Sequence, residues 1–135
     1  AIKNEGVWCE GQPFTCSQTD SIEKSLLLTG FGYEHGELWE RNMALFKDFT
    51  DKSHGVRRLG AAAVDLCHVA SGKVDGYWEF DLKPWDSAAG ILIAQEAGCV
   101  VSQMDGSDYS IYDNNILVAN PKIHGEMILE IKKII

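Results

Sequence analysis

Short apolar runs and longer amphipathic segments alternate along this chain. Apolar runs bounded by Gly, Pro or polar residues predict strands, and apolar residues spaced by three and four positions predict helices. After an opening hairpin, the pattern predicts the order strand, helix, strand, helix, strand, helix, strand, strand, helix. The predicted strands are 26–29, 56–59, 74–80, 99–104 and 116–119, and the predicted helices are 37–51, 60–71, 86–97 and a final helix that starts at Asn120.

This alternation is typical of an α/β domain in which a central sheet lies between helices. Helices 60–71 and 86–97 are apolar nearly all round, which predicts burial on most sides under further layers. Asn120 and Pro121 suit the N-cap and the first position of the last helix. Two other helices show an apolar face, formed by Trp39, Met43, Phe46 and Phe49 or Thr50 in the first helix and by Ile123, Met127, Ile131 and Ile134 in the last.

The first residues predict a β-hairpin. Apolar segments 7–9 and 14–16 flank a polar turn at 10–13, and Pro13 must lie in the turn or at a strand edge because it lacks a backbone N–H. An isolated hairpin is only marginally stable in water. We therefore expect this hairpin to join a sheet that the preceding residues of this chain do not supply.

Length and charge restrict the function. The chain has 135 residues, which suits one domain, and its net charge is −8. The acid excess argues against nucleic acid or an anionic membrane as partner, and no apolar run reaches the roughly 18 residues of a membrane span. The negative charge does not exclude a phosphate-bearing substrate, because an acidic protein can hold phosphate through metal ions.

The four cysteines, Cys9, Cys16, Cys67 and Cys99, lack zinc-site spacing. Their even number permits two disulfides. The apolar surroundings of Cys67 and Cys99 instead favour free, mostly buried thiols in a reducing compartment.

The segment 78–98 is the most informative for chemistry, because three acids lie just before or at the start of an apolar helix. At that position Asp86 could cap the helix by accepting backbone N–H bonds. It could also offer a hard oxygen ligand to Mg²⁺. Spacing alone leaves both roles open.

Other polar residues predict structural roles. Asp65 and His68 are three residues apart on one helix, close enough to pair. Glu96 is expected to hold backbone in place, and Asp105-Gly106 to form a turn. Gly30-Phe31-Gly32 is too short a motif for a nucleotide-binding loop. The remaining histidines have no metal-ligand spacing and are expected at the surface or in loops: His35, His54 and His124.

One motif consists of residues 85–90, Trp-Asp-Ser-Ala-Ala-Gly, followed by Glu-Ala-Gly at 96–98, and the segment from Arg58 to Cys67 precedes it. Further segments of the same pattern are Trp78-Glu79, the glycine-rich opening at 1–11 and Gly-Tyr-Glu-His at 32–35. Together these segments resemble the inositol monophosphatase family, whose C-terminal signature is similar to the first motif and whose preceding helix is similar to the second segment. Gly-Tyr-Glu-His is most similar to the plant and cyanobacterial members.

The resemblance implies the C-terminal half of the inositol monophosphatase-like fold, a layered α/β domain with a mixed sheet between helices. It implies a Mg²⁺-dependent, lithium-sensitive phosphomonoesterase that hydrolyses inositol 1-phosphate or a similar small phosphate ester. Asp86 would be the catalytic Mg²⁺ ligand and contact the substrate beside the phosphate. Glu79 and the backbone of Gly60, Ala61 and Ala62 would bind substrate hydroxyls. A homodimer located in the cytoplasm or chloroplast stroma is expected.

Other features of the family pattern are missing. The family's remaining Mg²⁺ ligands, a Glu and an Asp-Pro-x-Asp-Gly-Thr motif, belong to its N-terminal half and do not occur here. We therefore expect residues 1–20 to be a hairpin of the missing half's sheet and 21–135 to be the C-terminal domain. This chain alone should be inactive. The alternative hypothesis is a non-catalytic, phosphatase-derived module for binding or assembly.

Overall fold

The computed structural model describes residues 1–135 and contains a five-stranded mixed sheet, a separate hairpin and four α-helices. The strands are β1 (Trp8–Cys9), β2 (Gln12–Pro13), β3 (Leu26–Thr29), β4 (Gly55–Arg57), β5 (Gly76–Phe80), β6 (Val100–Ser102) and β7 (Asn115–Ala119). The helices are α1 (Glu37–Lys52), α2 (Ala62–Ala70), α3 (Pro84–Glu96) and α4 (His124–Ile134). A short 3₁₀ helix, Ile22–Lys24, precedes β3.

The sheet has the strand order β4-β3-β5-β7-β6. β3 pairs in parallel with both β4 and β5, whereas β7 is antiparallel to β5 and β6. Because parallel strands end at the same edge of a sheet, the loops after β3, β4 and β5 lie side by side. That edge carries the candidate site.

Helices cover both faces of the sheet, as the sequence predicted. Consecutive strand residues point to opposite faces, so Leu27 and Trp78 pack with α1 and α4, and Leu28 and Tyr77 pack with α2 and α3. Both cores consist of buried apolar side chains. None of the helices combines the length and apolar character needed to span a membrane.

The hairpin is tighter than predicted. Its turn consists of two residues, Glu10 and Gly11, both with positive φ, and residues 14–16 do not form a strand. Two-residue turns with positive φ match the twist of paired strands. Pro13 does lie at a strand edge. β1 and β2 pair only with each other within this chain.

Three helices begin elsewhere than the sequence predicted, and α2 starts at Ala62 rather than at Gly60. α3 starts at Pro84, two residues before Asp86, because proline has no N–H to lose at the first helical position. α4 starts at His124 rather than near Asn120. The Asn120 side chain instead caps a turn before the helix by accepting the N–H groups of Lys122 and Ile123.

Three predictions of burial were wrong. In α1, Phe49 is buried and Phe46 packs against the same core, as predicted, but Met43 is exposed and the other buried residues are Asn42 and Leu45. Ile134, the last residue of α4, is exposed. The outer face of α2 and α3, defined by Ala63, Val64, Trp85, Ala88 and Ala89, is open to solvent.

Candidate active site

A cleft of about 470 Å³ lies at the edge where the three parallel strands end. Its walls come from the loops after β3, β4 and β5 and from the start of α3. The cleft brings together all five residues that the sequence assigned to substrate or metal binding, although they come from two separate segments: Gly60, Ala61, Ala62, Glu79 and Asp86.

Glu79 is the penultimate residue of β5, and only 9% of it is exposed. Its carboxylate accepts a hydrogen bond from the Tyr77 hydroxyl, two residues earlier on the same face of the strand. Burial raises the pKa of Glu79 to about 7, and the nearby charges of Asp65 and Asp86 add to this rise. The Tyr77 hydrogen bond and the Arg58 charge oppose it. Glu79 is thus poised between charged and neutral near pH 7.

Asp86 is the third residue of α3, and its carboxylate is half-buried. One oxygen, Oδ2, accepts the Lys83 backbone N–H at 2.8 Å, which caps the helix from within. The second oxygen, Oδ1, accepts no hydrogen bond within the chain. The two roles that spacing left open are therefore compatible, since one oxygen caps and the other can bind a ligand.

The residues present fit only part of a metal site. Carboxylate oxygens are the ligands that Mg²⁺ prefers, and Asp86 has one to offer. No group of three or more His, Cys, Asp or Glu side chains in the chain is placed to hold a metal ion. A complete site would need ligands from outside this chain.

The segment Gly60–Ala62 leads from β4 into α2. Gly60 has a φ of +87°, which a residue with a side chain rarely adopts, and this conformation turns the chain into the helix. The first turn of a helix leaves N–H groups without intrahelical partners. These groups make the α2 start suited to hydroxyl or anionic oxygen atoms of a ligand.

Sequence reasoning missed several residues of the cleft, among them Gly30, Arg58 and Asp81. Gly30 directly follows β3 and touches the Glu79 carboxylate. Asp81 directly follows β5 with a φ of +57° and pairs with Lys83. The available signal was their position, since each comes directly after a predicted or observed parallel strand and so reaches the same edge.

Asp65 did not form the predicted pair with His68. The Asp65 side chain lies on the buried side of α2, and neither carboxylate oxygen has a hydrogen-bond partner. Burial raises its pKa to about 6. Leaving a buried carboxyl group without a partner costs stability, which marks Asp65 as an unusual residue of this helix.

Other structural predictions had mixed outcomes. Glu96 does hold backbone, since its two oxygens accept the N–H groups of Asn4 and Gly6 at 2.7 and 2.9 Å. This contact attaches the hairpin region to α3.

Asp105 forms the expected turn, since its carboxylate accepts the backbone N–H of Ser107. The prediction for His124 was wrong, because its ring is buried and lies 2.9 Å from the Ser102 hydroxyl.

Comparison with known proteins gives consistent matches over the whole chain. The chain is 56% identical over 128 residues to phosphatase IMPL1, chloroplastic, of Arabidopsis thaliana, covering 95% of this chain and 34% of that protein. It is 45% identical to the inositol-1-monophosphatase of Synechocystis, covering 94% of this chain and 44% of that protein. It is also 41% identical to a putative Nus factor SuhB of Neisseria meningitidis, with 95% and 49% covered.

A solved structure also matches. The inositol monophosphatase from Anabaena superposes with a TM-score of 0.88 at 37% identity, covering 98% of this chain and 52% of that chain. This chain therefore spans about half the length of that protein and less than half of the curated relatives named above. The family model of the inositol monophosphatase family matches residues 1–135. The chain belongs to the inositol monophosphatase family.

Proposed function

We propose that the complete protein is a Mg²⁺-dependent phosphomonoesterase that hydrolyses inositol 1-phosphate or a similar small phosphate ester. In this proposal, the present chain supplies the C-terminal half of the active site. The observation that carries it is the meeting of Asp86, Glu79 and the α2 start in one cleft. Family membership and the names of the plant and cyanobacterial relatives support the phosphatase chemistry.

Each part of the cleft has a role in this proposal. The free oxygen of Asp86 would be a Mg²⁺ ligand beside the scissile phosphate. A bound Mg²⁺ would offset the phosphate charge and lower the pKa of its bound water. Glu79 as a carboxylate would accept hydrogen bonds from substrate hydroxyls, and the N–H groups at Gly60–Ala62 would donate to substrate oxygens.

The remaining metal ligands would come from the other half of the protein. This chain contains only part of a Mg²⁺ site. The exposed apolar outer face of α2 and α3, with Trp85 80% and Val64 49% exposed, supports a docked second half on that side. We propose that the hairpin joins the sheet of that half, and that residues 1–135 alone release no phosphate.

The proposal extends to assembly and location. A homodimer is expected from the family resemblance, and its test is the solution mass of the complete protein. The word "chloroplastic" in the name of the Arabidopsis relative supports the chloroplast stroma, with the cytoplasm as the other compartment proposed.

The test is phosphate release from inositol 1-phosphate by the full-length protein across a Mg²⁺ titration. Asp86→Asn should lower kcat/KM by about 100-fold or more, because it replaces a charged metal ligand and transition-state contact by a neutral amide. Asp108→Asn makes the same change at an exposed position outside the cleft and should leave the rate unaffected. Full activity of Asp86→Asn would contradict the proposal.

A further inference from the structure

An amide side chain is buried in the apolar core between α1 and the sheet. Asn42 lies in the second turn of α1 and is only 2% exposed. The other buried residues of this helix, Leu45 and Phe49, belong to the apolar core itself. Burying an amide group costs stability unless its donor and its acceptor are both hydrogen-bonded. The partners of Asn42 therefore show what the amide does at this position.

Both ends of the Asn42 amide are hydrogen-bonded to the cleft edge of the sheet. Its Nδ2 donates to the Gly30 carbonyl at 2.5 Å, and its Oδ1 accepts the indole N–H of Trp78 at 2.6 Å. An indole N–H can only donate and a carbonyl can only accept, so the two ends of the amide are not interchangeable. Gly30 directly follows β3, and Trp78 precedes Glu79 on β5. Asn42 thus joins the ends of two adjacent parallel strands.

Gly30 connects Asn42 with the cleft. A Cβ at position 30 would overlap both carboxylate oxygens of Glu79, so the Gly30 backbone lies directly against this carboxylate. The Glu79 carboxylate has one hydrogen-bond partner within the chain, the Tyr77 hydroxyl. It is therefore confined between Tyr77 and the Gly30 backbone. The carbonyl that Asn42 holds belongs to the same residue, so its displacement would move the Gly30 Cα relative to Glu79.

We propose that Asn42 is a positioning residue, which holds Gly30 so that the Glu79 carboxylate lies where substrate hydroxyls can reach it. The inference rests on the proposed function, in which Glu79 accepts hydrogen bonds from those hydroxyls. Asn42 does not line the cleft, so it acts on the substrate only through Gly30 and Glu79.

Two variants of the full-length protein remove the hydrogen bond to Gly30 in different ways. Asn42→Asp keeps the side-chain size and an oxygen for the Trp78 N–H, but a carboxylate has no N–H to donate. Asn42→Leu is uncharged, has a similar size and loses both hydrogen bonds. Phe49→Leu is the matched control, because the Phe49 ring packs against Trp78 with the ring centres 4.8 Å apart. It loosens the same contact between helix and sheet without removing a hydrogen bond.

The expected result is weaker substrate binding. With inositol 1-phosphate and Mg²⁺ at about pH 8, where a carboxyl group is ordinarily ionised, KM should rise about tenfold in both Asn42 variants. The kcat should stay nearly constant, since Glu79 contacts hydroxyls that are bound equally before and during the reaction. Phe49→Leu should keep the wild-type KM. An unchanged KM in the Asn42 variants, or an equal rise in Phe49→Leu, would overturn the inference. So would a rise in only one folded Asn42 variant, which would trace to its charge or to the Trp78 bond.

A double-mutant cycle with Glu79→Gln distinguishes positioning from general damage to the fold. If Asn42 acts through Glu79, Asn42→Asp should raise KM by less than about twofold in protein that already carries Glu79→Gln. The same factor in both backgrounds would show that Asn42 acts independently of Glu79 and would overturn the inference. This cycle decides the question if Asn42→Leu does not fold.

Crystal structures of the full-length wild type, Asn42→Asp and Phe49→Leu separate this inference from the proposed function. Wild-type protein that releases no phosphate from inositol 1-phosphate would contradict the phosphatase proposal. In that case, a Glu79 carboxylate displaced from the Gly30 Cα in Asn42→Asp, but not in Phe49→Leu, would still support the positioning role of Asn42. A carboxylate in its wild-type position in Asn42→Asp would overturn it.

Discussion

The Glu79 carboxylate lies directly against the Cα of Gly30, where any larger residue would place its side chain. A Cβ added to Gly30 would come within 3.0 Å of both carboxylate oxygens. The two residues belong to adjacent parallel strands, since Gly30 follows β3 and Glu79 lies near the end of β5. The absence of a side chain at position 30 thus determines where the Glu79 carboxylate can lie in the cleft.

We expect Gly30→Ala to displace Glu79 and break its hydrogen bond to Tyr77. Since Glu79 is proposed to bind substrate hydroxyls, kcat/KM for inositol 1-phosphate should fall about tenfold in the full-length protein. Gly32→Ala is the matched control in the same loop, because a Cβ there meets no atom within 4 Å. Equal rates for both variants would show that the Glu79 position does not matter for turnover.

Tyr77→Phe should change the pH dependence. The pKa of Glu79 is raised to about 7 by burial, and the Tyr77 hydrogen bond partly opposes this rise by stabilising the charged form. Removing the hydroxyl should raise the pKa further, so the acidic limb of kcat/KM against pH should move to higher pH. Tyr109→Phe removes a hydroxyl that contacts Ser87 instead and should leave the limb in place. If the acidic limb of the Tyr77→Phe variant moved to lower pH, this would contradict the assignment of that limb to Glu79.

Asp65→Asn should change how stability depends on pH. Burial raises the pKa of Asp65 to about 6, above its ordinary value of 3.8, so folding favours the protonated acid. The wild type should therefore lose stability as the pH rises from about 4 to 6, by up to about 3 kcal/mol, because one pKa unit corresponds to about 1.4 kcal/mol.

Denaturant unfolding of the purified full-length protein at pH 4 and pH 7 measures this effect. The loss between the two values should be smaller in Asp65→Asn than in wild type, because the amide stays neutral. Asp108→Asn, at an exposed position, provides the reference. If the free energy of unfolding depended on pH identically in wild type and Asp65→Asn, ionisation of Asp65 in the folded protein would cost little stability.

Gly90→Ala should destabilise the contact between α2 and α3. Gly90 is buried, and an added Cβ would lie within 3.0 Å of the Leu66 side chain on α2. Overpacking of this kind costs about 1–3 kcal/mol. Gly125→Ala in α4 meets no atom within 4 Å and should be neutral or up to about 1 kcal/mol more stable. The midpoints of denaturant unfolding are compared between the two variants. Equal midpoints would indicate that α2 and α3 can move apart to accommodate the added methyl group.

Much of the fold could be predicted because strands and helices here follow local hydrophobic patterns. The β3, β5 and β7 segments are short apolar runs, and all were predicted within two residues of each observed end. The predicted starts of the helices were less accurate than the predicted strand ends. Residues such as Pro84 and Asn120 fit more than one position around a helix start, so the sequence near them is compatible with several starts. The burial predicted for the outer face of α2 and α3 was overestimated. An apolar helix surface indicates that some partner can cover it, but it does not tell whether that partner belongs to this chain.

The sequence by itself determined the α/β class and the family, and it predicted the five site residues, because these depend on local periodicity and on short motifs. Tertiary structure alone decided that Gly30 and Arg58 belong to the same cleft, that Asp65 has no partner, and that Glu96 holds the hairpin region. Each of these depends on contacts between residues far apart in the chain. The strand order that brings them together follows from packing of the whole sheet, which no local pattern specifies.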